Sequence, residues 1–69
     1  MNIIICGLNP ELSTTIQEYF FDRGYKWSNK HTYVKHTDSD CLMFWKDKRI
    51  TFGYIDNSDS IVIDLKKDV

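Results

Sequence analysis

The residues best suited to chemistry lie between His31 and Cys41, where "HTYVKHTDSDC" brings together His31, His36, Asp38, Asp40 and Cys41. All five side-chain types can ligate a metal. Their spacing argues otherwise: the histidines are five apart, which fits no zinc pattern, and an odd interval on an extended chain puts the two rings on opposite faces. They read as solvated loop residues, and no metal or cofactor is expected. Asp56 and Asp59 in "DNSD" lack the twelve-residue frame, glycine and terminal glutamate of a calcium loop, so that stretch reads as a turn. Cys6 or Cys41 beside His31 or His36 would supply a nucleophile and a base. No surrounding signature supports the pairing, and no carboxylate couple stands out, so the chain is read as a non-enzyme. Gly7 and Gly24 belong to no phosphate loop, and the free amides after Asn9 and Pro10 are only a weak anion site.

A different chemistry is written in "RGYKWSNKHTYVKH". From Arg23 to His36 there are four basic residues and no acidic one, interleaved with Tyr25, Trp27 and Tyr33. Rings beside cations can stack bases while neutralising phosphates, so Tyr25, Lys26, Trp27, Lys30, Tyr33 and Lys35 form a candidate nucleotide or single-strand site. The competing reading points Tyr25 and Trp27 into the core and leaves the lysines as a solvated face. The net charge of −1 favours that alternative, because a general nucleic-acid binder is normally basic overall. The hairpin tip "KDKR" could extend the basic surface towards Trp45, a combination equally suited to an acidic protein partner.

The elements that must position these groups follow from pattern and punctuation. Sixty-nine residues make one domain, 1–69. "NIIIC" is a β-branched run ended by Gly7, expected as a strand over 2–6. Asn9 can cap a helix, Pro10 suits its first position, Glu11 favours its positive end, and Gly24 supplies a left-handed stop. Leu12, Ile16, Tyr19, Phe20 and the stem of Arg23 share one face of that helix, with Phe21 pointing away from it. "YKW" starts a second strand, and "SNKHTYVKHTDSD" is expected to be a loop or an irregular hairpin arm. "CLMFW" and "RITFGYI" flank a three-residue "KDK" connection, which predicts a hairpin. "SIVIDL" is a final strand, and the "KKDV" tail is expected to fray. The result is an α+β domain: one helix packed on a mostly antiparallel sheet of four to five strands, in β-α-β-β-β order. The strand–helix–strand entry is expected to cross over right-handed.

"CLMFW" then raises a problem, because it is apolar on both faces of a strand. If Leu42 and Phe44 face the helix, Met43 and Trp45 face away from it. An exposed patch there would mark a contact surface, and Trp, Met and Arg are favoured at interface centres. Trp45, Met43, Arg49, Lys48 and Phe21 are therefore the candidate partner-binding residues. Three coverings are open: the "SNKHTYVKH" segment, a second copy in a homodimer, or a heterologous partner. Cys6 and Cys41 sit in apolar runs and read as free buried thiols. The opening "MNIIICGL" has neither a basic region nor an apolar run long enough for a signal or a membrane span. The expectation is a soluble, cytoplasmic protein.

A helix followed by "FDRGYKW", an aromatic strand and "KRITFG", over roughly residues 9–55, resembles small accessory proteins of large tailed bacteriophages. That resemblance implies expression in the bacterial cytoplasm and stoichiometric binding to host enzymes, defence proteins or signalling nucleotides. The expected function is a non-catalytic inhibitor or modulator of a host protein, with nucleotide or single-strand binding as the alternative.

Overall fold

The computed structural model describes residues 1–55 and 59–66. Its elements run β1 (Asn2–Cys6), α1 (Pro10–Phe21), β2 (Lys26–Trp27), β3 (Cys41–Phe44), β4 (Arg49–Phe52) and β5 (Ser60–Asp64). One helix and one five-stranded sheet make an α+β fold, with the strands in the order β2-β4-β3-β1-β5. The sheet is mixed rather than mostly antiparallel. The β1–β3 and β3–β4 pairs are antiparallel, whereas β1–β5 and β2–β4 are parallel. β4 and β3 stand between β1 and β2, so the strands flanking the helix are not neighbours. The turn at "DNSD" lies outside the described residues except for Asp59, as does the tail beyond Lys66.

The helix ends form as their residues dictate. Asn9 is extended and its Oδ1 accepts from the Leu12 N–H at 2.8 Å, Pro10 opens the helix, and Gly24 adopts a φ of +89°. Its buried stripe, however, is turned from the one expected. Ser13 and Gln17 are fully buried, Ile16, Phe20 and Phe21 pack on the core, and Leu12 and Tyr19 are exposed. Phe21 thus faces inward, a correction of the outward direction expected for it.

The cause is a polar clamp that apolar periodicity does not weigh. Gln17 donates from Nε2 to the Lys35 carbonyl at 2.7 Å and accepts the Lys35 N–H on Oε1 at 3.0 Å. A second Nε2 bond reaches Ser13 Oγ at 2.9 Å. The clamp pins the irregular segment 28–40 against the helix. Gln17→Ala should strip both main-chain partners from Lys35 and cost about 2 kcal/mol in denaturant unfolding. An unchanged midpoint would show that water replaces the side chain at no loss.

Two apolar clusters occupy the two sheet faces. On the helix side Ile5, Leu8, Trp27, Leu42, Phe44 and Ile50 are buried, with Phe20 stacked on Phe44 at a centroid distance of 4.0 Å. On the other side Ile4, Cys6 and Met43 are buried, packed by Cys41 and Trp45. Leu42 and Phe44 therefore face the helix, and Met43 and Trp45 face away. The segment 28–40 does not cover that second face. It packs beside the helix instead, where His36 stacks on Phe52 at 4.0 Å and meets the edge of Trp27.

The cysteines are not free. Cys6 and Cys41 form a disulfide across β1 and β3. Leu65 donates to the Cys6 carbonyl and Gly53 to that of Cys41, so both carbonyls point away from the β1–β3 ladder. Cys6 and Cys41 are thus partners at a non-hydrogen-bonded site, where opposed side chains lie closest. Separate strands 35 residues apart in sequence conceal that register.

Candidate functional site

β2 and the β3–β4 turn meet at one edge of the sheet, and the basic residues gather there. The turn is a three-residue connection: Trp45 donates to the Arg49 carbonyl at 2.8 Å and Lys48 to that of Trp45 at 2.9 Å. Closing it this way requires a left-handed residue at its third position, and Lys48 takes that place with a φ of +71°. Lys30 ends the tight turn after β2, donating to the Trp27 carbonyl at 2.7 Å, and its φ is also +71°. Both conformations suit glycine and cost a lysine about 1 kcal/mol.

Between these two turns lies an open groove of about 350 Å³, lined by Gly24, Lys26, Trp27, Ser28, Lys30, Asp47, Lys48 and Arg49. Lys26, Lys30, Lys48 and Arg49 put four cations on it against the single carboxylate of Asp47, which sits 3.8 Å from Arg49 Nε. Among the described residues, Lys26, Lys30 and Lys48 make no ion pair, nor do Arg23 and Lys35 nearby. Several cations lie over rings instead: Lys48 over Tyr25 at 4.9 Å, Arg23 over Tyr19 at 3.5 Å, Arg49 over Trp45 at 4.9 Å. Lys48 Nζ also donates to the Arg23 carbonyl at 3.1 Å, which ties the turn to the helix end.

The residues expected to bind a nucleotide are split by the fold. Trp27 is 4% exposed, and its Nε1 is spent on the Tyr33 carbonyl at 3.0 Å. Tyr25 is half-buried against Phe20 and Phe44. Neither ring is open to stack a base, because both complete the core where the helix stops. Tyr33 is exposed and stacks on His31 at 4.9 Å, with Lys35 Nζ 5.4 Å from its ring. Lys26 and Lys30 belong to the groove.

The residues expected to bind a protein partner are also divided. Met43 is 0% exposed, so no partner can touch it; the apolar strand is closed from within. Phe21 packs on the core. Trp45 is half-buried, with Nε1 donating to Thr51 Oγ1 at 2.9 Å. Arg49 and Lys48 remain at the surface. The elements explain the rest: a left-handed lysine leaves no periodic trace, so the meeting of Lys30 with Lys48 could be seen only after β2 paired with β4.

His31 and His36 are taken up in ring stacking, and among the described residues no three His, Cys, Asp or Glu side chains come together as a metal set. No described helix is long and apolar enough to cross a membrane. No family model, no curated protein and no solved structure matches the chain.

Proposed function

We propose that this chain is a non-catalytic interaction module that binds an acidic surface of a partner protein through its β2–β4 edge. The observation that carries the reading is the pair of left-handed lysines, Lys30 and Lys48, on one groove. Glycine would serve both turns at lower cost, so the side chains themselves are what the turns present. With Lys26 and Arg49 they make a compact field of positive charge on a protein of net charge −1. Such a field steers an anionic partner and sets its register. The resemblance to phage accessory proteins supports a host protein as that partner, modulated by stoichiometric binding. Arg49, lying over Trp45, is the anchor at the rim.

Charge reversal tests this. The immobilised protein should retain a host protein from nuclease-treated bacterial lysate, and K26E/K48E should weaken that retention at least about tenfold with unchanged circular dichroism. Equal retention by both forms would sink the reading. The exposed Tyr33–His31 stack beside Lys35 favours the second reading, single-stranded nucleic acid or a nucleotide. In that case retention would be seen only from lysate not treated with nuclease, and an oligonucleotide would bind with a steep salt dependence.

A further inference from the structure

The two edges of the sheet are finished differently. At the β2 edge a two-residue strand, a tight turn and Lys26 discourage further pairing, the usual devices against unwanted strand addition. β5 at the other edge has none of them. Ser60–Asp64 is five residues long with neither lysine nor proline, and Ile61, Val62 and Ile63 remain 46%, 46% and 41% exposed.

The hydrogen bonds fix which main-chain groups face out. Asn2 donates to the Asp59 carbonyl and Leu65 to that of Cys6, so the odd-numbered residues of β5 bond to β1. By alternation, the N–H and C=O of Val62 point away from β1, to the outer edge.

We propose that β5 pairs antiparallel with β5 of a second copy, about a two-fold axis at Val62, joining two sheets into one of ten strands. The strand is self-complementary in this register. Val62 exchanges both main-chain bonds with its symmetry mate, while Ile61 meets Ile63 of the other copy on the helix side. On the opposite face Ser60 meets Asp64 of the other copy, so hydroxyl faces carboxylate and no two carboxylates are opposed. An isologous contact of this kind closes at two copies. Its area falls at the low end for specific interfaces, so dissociation in the micromolar range is expected. The basic groove lies at the opposite edge and stays open in the dimer, which thereby presents two copies of it.

Hydrogen exchange of the purified chain tests the pairing without mutation. The Val62 and Asp64 amides should exchange rapidly at low micromolar concentration and slow by about tenfold or more towards millimolar concentration. Sedimentation over the same range should shift from 8.2 kDa to twice that mass. Val62→Pro removes only an outward donor and Val62→Lys opposes like charges at the axis, so each should leave a folded monomer. A monomer throughout the range would overturn the proposal. So would a dimer whose Val62 amide stays unprotected, or one that survives both substitutions.

Discussion

Reducing the Cys6–Cys41 disulfide is expected to cost about 4 kcal/mol, the loop-closure entropy of a 35-residue span. A domain of 69 residues has roughly 3–10 kcal/mol of stability in total. The cross-link is therefore a large share of it, and the melting temperature should fall by roughly 15–25 °C. The bond lies on the second face, whose cluster of buried apolar side chains is small among the described residues: Ile4, Cys6 and Met43. It also joins the ends of β1 and the central strand β3, which are already paired, so it constrains the unfolded chain without demanding a new contact in the folded one. Calorimetry with and without a reductant, alongside a Cys6→Ala/Cys41→Ala double variant, measures the effect. A shift of only a few degrees would mean that the loop is already closed in the unfolded chain or that the thiols do not hold the pair. The same number separates compartments. Glutathione and thioredoxin keep cytosolic thiols reduced, so this protein should be markedly more stable in an oxidising setting.

What could be read from the sequence was local. β1, the N-terminal cap at Asn9, the Gly24 stop and the three-residue hairpin all rest on residues within a few positions of one another, whereas the parity of Leu42 against Met43 is open in both directions until the helix is placed. The misreadings share a different origin. Gln17 is polar and so carries no weight in a hydrophobic stripe, yet its amide fixes the rotation of the helix. Cys6 and Cys41 each look like small buried hydrophobes until β1 is laid against β3 in register. β5 reads as a final strand, but its parallel place beside β1 depends on a connection of several elements. The candidate site divides the same way. The basic run at 23–36 and its extension by the "KDKR" tip are visible as composition, whereas the edge on which Lys26 and Lys30 join Lys48 and Arg49 comes from a β2–β4 pairing of only two residues.

Trp45→Ala is expected to destabilise the fold by about 3 kcal/mol rather than act as a clean loss of binding. An apolar strand with no second layer over it would ordinarily invite a partner, but here the chain supplies its own cover. Met43 and Ile4 are fully buried, and among the described residues the Trp45 ring is the large apolar group packed against them. The bond from its Nε1 to Thr51 Oγ1 holds the ring across β3 and β4, and Arg49 lies on it at 4.9 Å. Truncation removes the packing, opens Met43 to water and frees Arg49 from the ring. Trp45→Phe keeps most of the apolar cover and loses the Thr51 bond, so it should cost about 1 kcal/mol. Denaturant midpoints of the two variants, read beside retention of the partner, separate the roles. If Trp45→Ala keeps its stability and loses only the partner, the ring is an interface anchor and the second face is closed by something else. If stability falls and retention at low temperature is merely reduced, the ring is core, and the groove carries recognition through Lys26, Lys30 and Lys48.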